Sequence, residues 1–227
     1  MAGRIQDLTI VCVTNGKGKA EFLAKMRHHA DYLDACFLVG TDGEHGYRMA
    51  IEAEADIVAP VKGNGYLESI LDEVMKKVQT EYVLRLDDDE RLSPALLEWL
   101  RGEWYKEYEI VTFPRANLWG DEKHFLSEYP WWMDEQTRLG KTSLMLGRNE
   151  IHQGNPNGAG VTVPYVIEHH KFLIKDYAER LKIALLYESV RKGAGLGEFL
   201  PFNLPEETYR ELRTSELGNG YKEGFKA

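Results

Sequence analysis

The stretch Tyr82-Val-Leu-Arg-Leu-Asp-Asp-Asp-Glu-Arg-Leu-Ser-Pro94 decides the fold. Its opening, Tyr82–Leu86, is β-prone and mostly apolar, as expected of a short buried strand. Ser93 fits a helix N-cap, Pro94 the first helical position, and Leu96, Leu97 and Leu100 an apolar stripe. Asp87, Asp88, Asp89 and Glu90 therefore fall between the carboxyl end of a strand and the start of a helix. In an open α/β sheet that crevice is where ligands bind. Adjacent carboxylates repel one another and call for a counter-charge. Hard oxygen donors suit Mg2+ or Mn2+, and the functional reading is a metal site that holds a phosphorylated substrate. A solvated acidic turn, favoured by the positive end of the next helix, accounts for the same residues. The rest of the chain has to arbitrate.

Upstream, strands and helices alternate. Leu8–Val13 is a continuous apolar run, the mark of a strand buried on both faces. Thr14–Gly18 reads as a loop, followed by a helix presenting Phe22, Leu23, Met26, His29 and Leu33. Cys36–Val39 is a second strand, with Gly40–Gly43 as its loop and a helix over Tyr47–Ala55. Asp56–Ala59 is a third strand and Lys62–Gly65 its loop. The next helix carries Tyr66, Ile70, Leu71, Val74, Met75 and Val78 at helical spacing. This alternation predicts an α/β protein with a mostly parallel sheet and right-handed crossovers. The loops at 14–18, 40–43 and 62–65 and the acidic turn would then line one rim. Gly-, Asn- and Asp-rich loops also suit plain tight turns. The rim lacks both the P-loop pattern and G-x-G-x-x-G after a strand, which excludes a P-loop nucleotidase and a Rossmann dehydrogenase.

Downstream the pattern is more irregular. Ile110–Phe113, Thr142–Leu146 and Val161–Ile167 read as strands. Tyr129–Leu139 is dense in aromatic residues. Lys175–Lys192 reads as a helix with Tyr177, Leu181, Leu185 and Leu186 facing inward, and Pro205–Arg213 as a short helix in the tail. No linker interrupts the chain. We expect a single domain over 1–227, with a donor half (1–107), an acceptor and catalytic half (108–192) and a tail (193–227).

Composition narrows the class. With 43% hydrophobic residues in 227, the chain can bury a sizeable core. A net charge of −9 lacks the electrostatic footprint of a nucleic-acid binder. Cys12 and Cys36 lie in apolar runs with no zinc spacing, so buried thiols are expected. The N-terminus shows no apolar signal core, and no run approaches a membrane span. The expected location is cytoplasmic.

At this point the residues resemble a known family. Val83–Pro94, Trp131-Trp-Met-Asp-Glu-Gln-Thr-Arg-Leu139, Ile151-His-Gln153, Ile167-Glu-His-His170 and the helix start Tyr177–Leu181 look, in order and spacing, like the motifs of family 2 type glycosyltransferases with the GT-A fold. The likeness spans about residues 8–190. The usual Asn and Glu pairs after the first strand are absent here, as is the A-R-N signature before the acidic motif.

The resemblance implies a donor nucleotide-sugar (UDP- or another nucleoside diphosphate sugar) over Thr14, Asn15, Asp42, Asn64, Asp87 and Asp88. It implies Mn2+ or Mg2+ on Asp87 and Asp89, with His152 as a further ligand and His169 as its rival. Asp134 would be the general base, its carboxyl raised by desolvation beside Trp131, Trp132 and Met133. Arg138 would support the site by pairing with a carboxylate or phosphate. Trp131 and Trp132 would stack on the acceptor. A hydroxyl acceptor on a glycan or glycolipid precursor is expected, and transfer with inversion. A modified nucleobase in DNA is disfavoured by the charge. Two alternatives stand beside this: a nucleotidyltransferase acting on a sugar phosphate, supported by Asn15-Gly-Lys-Gly-Lys19, and a non-catalytic sugar-binding module.

Overall fold

A computed structural model of the protein describes residues 7–129, 131–145, 160–199 and 214–217. The first half alternates as its sequence predicts: β1 (Leu8–Thr14), α1 (Ala20–Leu33), β2 (Cys36–Thr41), α2 (Glu44–Glu52), β3 (Ile57–Pro60), α3 (Glu68–Met75) and β4 (Tyr82–Asp87). Then come β5 (Glu90–Leu92), α4 (Pro94–Arg101) and a 3-10 turn at Trp104–Glu107. The second half supplies β6 (Ile110–Asn117), β7 (His124–Leu126), β8 (Asp134–Lys141), β9 (Val161–Thr162) and β10 (Ile167–His169). It continues with α5 (Lys171–Ile174), α6 (Tyr177–Val190) and β11 (Thr214–Glu216).

One sheet joins the two halves, in the order β3-β2-β1-β4-β8-β6-β10-β5, with β9 also on β6. The strands β3, β2, β1 and β4 run parallel. β8 is antiparallel to both β4 and β6, while β10 is parallel to β6 and antiparallel to β5. The register pairs Val13 with Asp87, Thr14 with Thr41, and Thr41 with Pro60, so the predicted loops and the acidic turn do share one rim.

Period-2 alternation in β1 and β2 explains why helices cover both faces. Ile10, Cys12, Phe37 and Val39 pack with residues of α1, α2 and α4. Val11, Val13 and Leu38 pack against Ile70, Leu71, Val74 and Met75 of α3. Each fully buried side chain of this size stabilises by about 1.5–3 kcal/mol. Both cysteines are buried free thiols. Ser93 caps α4 by accepting from the Leu96 N–H at 3.3 Å, with Pro94 at the first helical position. No described helix is long and apolar enough to cross a membrane.

Several expectations change. Thr142–Leu146 is not a strand where it is described: Thr142–Leu144 is a turn, and the strand is β8, which starts inside the aromatic block at Asp134. Val161–Ile167 breaks into β9 and β10 around Pro164, which has no N–H to give a ladder. The predicted helix from Lys175 starts at Tyr177 instead, because Asp176 and Glu179 form a capping box. Its inward face is also different: Arg180 and Ala184 are buried, whereas Leu185 is 51% exposed. The short strands β5 and β7 carry little periodic signal and have no counterpart in the sequence reading. The predicted helix at Pro205–Arg213, and His152 with the Gly154–Ala159 part of its loop, lie outside the described residues.

Candidate active site

The acidic turn sits at the centre of the rim, and its carboxylates point different ways. Asp87 accepts from Arg138 Nη2 at 2.6 Å and from Arg85 Nη2 at 3.2 Å. Glu90 is fully buried. It accepts from the Asp87 N–H at 3.0 Å, from Arg138 at 2.7 Å and from Arg115 at 3.1 Å. Asp88 turns back to the first loop, where the Thr14 hydroxyl donates to it at 2.8 Å. A Cβ on Gly18 would stand 2.5 Å from that carboxylate, so a larger residue there would push the Asp88 side chain aside. Asp89 accepts from Lys175 Nζ at 2.6 Å and faces His169 Nε2 at 3.4 Å.

These partners set the charges. Burial alone would raise Asp87, but the Arg138 and Arg85 guanidinium groups outweigh it and hold its carboxyl below the usual range. Burial also opposes ionisation of Asp89, and Lys175 and His169 overcome it. Among the described residues Asp88 has no cationic partner at contact distance. Burial and the neighbouring Asp89 push it up to about 6.

Neighbouring strands of the second half bring up the rest. Register places Arg115 of β6 opposite Asp134 of β8, and Asn117 beside His169 of β10. Arg115 grips Asp134 through Nε at 2.8 Å and Nη2 at 2.6 Å. Gln136 donates to the other Asp134 oxygen at 2.7 Å. Here the sequence expectation is corrected. Burial does act to raise Asp134, but the Arg115 guanidinium dominates and its carboxyl lies below the ordinary value. The partner on the adjacent strand decides the sign, and it is 19 residues away in sequence.

The amide of Asn117 donates to the Trp131 carbonyl at 2.9 Å, and its Oδ1 contacts His169 Nδ1 at 2.7 Å. Oδ1 is an acceptor, so His169 donates to it from Nδ1, and Nε2 is left facing Asp89 at 3.4 Å. Burial and the Arg115 charge lower the basicity of His169, with Asp89 acting in the opposite sense.

These groups share one cavity of about 480 Å3. One wall carries Asp89, His169, Lys171 and Lys175; Asp134, Gln136 and Arg115 lie on another, and Asn15, Lys17 and Gly18 close the first-loop side. Glu68 of α3 and Tyr187 of α6 line it too, 3.4 Å apart, and burial raises both. Lys171 is buried at 5% exposure, and burial lowers its amine well below the usual value.

Among the predicted site residues, Asn15, Asp87, Asp88, Asp89, Asp134, Arg138 and His169 line this cavity. Thr14 is buried behind Asp88. Asp42 accepts from the Gly63 N–H at 3.2 Å and Asn64 is exposed; both stay on the rim but outside the cavity lining. Trp131 packs with Leu126 and Phe172, and Trp132 with Phe125, so neither tryptophan offers a face to the cavity. The residues that sequence reasoning missed are Arg115, Asn117, Lys171, Lys175, Glu68 and Tyr187. Only Lys171 and Lys175, just after the His169-His170 pair, had a usable signal in their spacing.

The donors present fit a divalent cation in part. Asp89 Oδ1 and His169 Nε2 face one another, and the other ring nitrogen of His169 is tied to a polar acceptor, the usual arrangement behind a ligating imidazole. Among the described residues no set of three His, Cys, Asp or Glu converges. A cation of the Mg2+ type takes one or two protein ligands and fills the rest with phosphate and water. Asp87, also expected as a ligand, pairs with Arg138 and Arg85.

No family model matches the sequence, and no curated protein matches it. Solved structures do. The chain is similar to S. aureus TarS 1–349, at 12% identity, over 86% of this chain and 71% of that one, with a TM-score of 0.50. Lesser similarities are to the bifunctional IspDF from Campylobacter jejuni (12% identity, 70% and 49% covered, TM-score 0.47). CMP:2-keto-3-deoxy-manno-octonic acid synthetase complexed with CTP gives 12% identity, 70% and 91% covered and a TM-score of 0.42. At such identities the likeness is one of fold: a mostly parallel sheet with helices on both faces and a mixed second half, which is a GT-A-like fold.

Proposed function

We propose that the protein is an inverting glycosyltransferase that moves a sugar from a nucleoside diphosphate donor to an acceptor hydroxyl. One observation carries the reading: a single cavity holds a candidate base, Asp134, together with Asp89, His169 and Lys175. Asp134 would take the proton of the acceptor hydroxyl as that oxygen attacks the anomeric carbon. The bond from that carbon to the phosphate oxygen breaks, and its electron pair leaves with the diphosphate. Arg115 and Gln136 hold the Asp134 carboxylate ionised and oriented. Mn2+ or Mg2+, held by Asp89 and His169, would supply Lewis-acid stabilisation of the departing diphosphate. Desolvation of the site would strengthen each of these charge interactions.

The acceptor we favour is a glycan or glycolipid precursor; a modified nucleobase stays disfavoured by the net charge of −9. Incubation with a panel of nucleotide-sugars and oligosaccharide or lipid-linked acceptors tests the reading. Acceptor-dependent release of a nucleoside diphosphate, with an inverted anomeric centre by NMR, is the expected result. A second reading, nucleotidyl transfer to a sugar phosphate, is favoured by Asn15, Lys17 and Gly18 on the cavity wall. Pyrophosphate release from a nucleoside triphosphate would replace the first reading with the second.

A further inference from the structure

The two oxygens of Asp134 are held unequally. Oδ2 accepts from Arg115 Nε at 2.8 Å and Nη2 at 2.6 Å, and Asn117 Nδ2 stands 3.4 Å from it. A carboxylate oxygen has about two lone-pair sites, so these donors already crowd Oδ2. Among the described residues Oδ1 accepts from Gln136 Nε2 alone, at 2.7 Å. One lone pair of Oδ1 is therefore open to an incoming hydroxyl. The Asp134 side chain keeps 10% of its surface exposed on the cavity wall.

Gln136 lies two residues beyond Asp134 on β8, so the two side chains share a face of the strand, and both line the cavity. The Asp134 carboxylate is ionised and can only accept, so Gln136 turns an N–H of its amide toward Oδ1. That contact fixes the other limb of the planar amide, Oε1. Among the described residues no hydrogen bond reaches Oε1, and it is not sealed from solvent. Arg115, with two N–H groups on one oxygen, already neutralises and orients the carboxylate. Gln136 brings no charge to Asp134. What it brings is a second acceptor atom beside the open oxygen of the base.

We propose that Gln136 sets acceptor specificity by selecting a vicinal diol of a sugar ring, the attacking hydroxyl donating to Asp134 Oδ1 and its neighbour to Gln136 Oε1. The proposal rests on the glycosyl-transfer reading above. In the step, the attacking oxygen bonds to the anomeric carbon and its proton passes to Asp134 Oδ1. The bond from that carbon to the phosphate oxygen breaks, and its electron pair leaves with the diphosphate. The neighbouring hydroxyl keeps its proton, because an amide oxygen accepts a hydrogen bond without acting as a base. Gln136 thereby also fixes which of the two hydroxyls reacts. An isolated alcohol, such as a hydroxymethyl group, would leave Oε1 against the acceptor with no donor. A site built to bond a substrate hydroxyl discriminates against the analogue lacking it, because its own polar atom is then left unpaired.

The test uses the full chain, with the donor that the nucleotide-sugar panel selects. Methyl hexopyranosides serve as acceptor probes, each paired with the deoxy analogue that keeps the reacting hydroxyl and lacks its neighbour. In the wild type kcat/KM should be about 10- to 100-fold higher for the diol, the scale of one acceptor atom left unpaired. Gln136→Met keeps a stem of similar length and removes the amide, and should bring that ratio within about 3-fold of unity. A role confined to orienting Asp134 would lower kcat for both members of a pair alike and leave the ratio standing. An unchanged ratio in Gln136→Met, or equal use of each pair by the wild type, overturns the proposal. Binding is read separately from the Gln136 side-chain amide signal in isotope-labelled wild-type protein by NMR. It should shift on titration with cis-1,2-cyclohexanediol and not with cyclohexanol; an equal response to both, or to neither, overturns the proposal even where the variant does not fold. A diol-specific shift with no nucleotide-sugar consumed removes the transfer reading and leaves the diol site. Transfer to both members of each pair at equal rates removes the diol proposal and leaves the transfer reading.

Discussion

Arg138 Nη2 stands 2.6 Å from Asp87 Oδ2 and 2.7 Å from Glu90 Oε1, one nitrogen joining both ends of the acidic turn. Arg138 comes from β8, in the second half of the chain, and is 3% exposed. The turn that opens the rim is thus held in shape by a residue 51 positions later. Because Glu90 Oε2 also accepts from the Asp87 N–H, the carboxylates cannot spread apart as mutual repulsion would drive them.

Removing that guanidinium should cost stability before it costs chemistry. Arg138→Met keeps most of the stem but leaves Glu90, fully buried, with one cation fewer. Breaking a buried pair from one side typically destabilises by about 3–5 kcal/mol. In a domain of this size that corresponds to a fall in Tm of about 10 °C. Differential scanning calorimetry reads it. A Tm within 2 °C or so of wild type would mean that Arg115 alone suffices for Glu90.

Asp134→Asn should leave donor affinity nearly intact and lower turnover by about 10²-fold or more, the usual loss for a general base. The pH profile adds a sharper check. Arg115 holds the Asp134 carboxyl below its ordinary value, so the carboxylate stays ionised as pH falls through the normal carboxylate range. The acidic limb due to Asp134 is then expected below about pH 4, and kcat/KM should not drop between pH 7 and pH 5 on its account. An Asp134-dependent limb centred near pH 6 would contradict the Arg115 contact.

Metal binding should follow Asp89 and His169 rather than Asp87. Mn2+ titrated in the presence of a nucleoside diphosphate, followed by electron paramagnetic resonance, should bind at least 10-fold more weakly to Asp89→Ala and His169→Ala. Asn117→Ala should weaken it as well, through loss of the contact that fixes the ring of His169. Equal Mn2+ affinity in all three variants and the wild type would take the metal away from this wall.

The first half of the fold was legible because its signals are local. Continuous apolar runs marked β1 and β2, and period-3.6 spacing marked α3, each within a dozen residues. Asp89, Asp134, Arg138 and His169 could be singled out because their motifs keep order along the chain. What sequence did not carry was cross-strand pairing. Arg115 opposite Asp134 and Asn117 opposite His169 follow from a register between strands that only the folded sheet sets. The sign of the Asp134 shift turned on that pairing. Trp131 and Trp132 look the same in sequence whether they face a sugar or pack on protein, and in the fold Trp131 packs with Leu126 and Phe172, and Trp132 with Phe125.

Acid sensitivity of the fold should trace to His29, on the buried face of α1. The side chain is 3% exposed, and its Nε2 has no hydrogen-bond partner among the described residues. Burial, with Lys25, Arg91 and His28 adding to it, lowers His29 to about 4 from the ordinary 6.5. Above pH 6.5 the ring is neutral folded or unfolded, and its protonation contributes nothing. As pH falls below that value the unfolded chain takes up a proton that the native chain refuses, so stability drops until the folded value near 4 is reached. The expected loss from this one group is about 1 kcal/mol at pH 5.5 and about 3 kcal/mol near pH 4. Urea unfolding of the wild type and of His29→Leu at pH 7.5, 6.5 and 5.5 isolates the effect. Leucine has no proton to gain, so its stability should decline less by that margin, whatever its absolute value at pH 7.5. Parallel curves for the two proteins would show that His29 is protonated in the folded state as readily as in water, and that α1 opens around it.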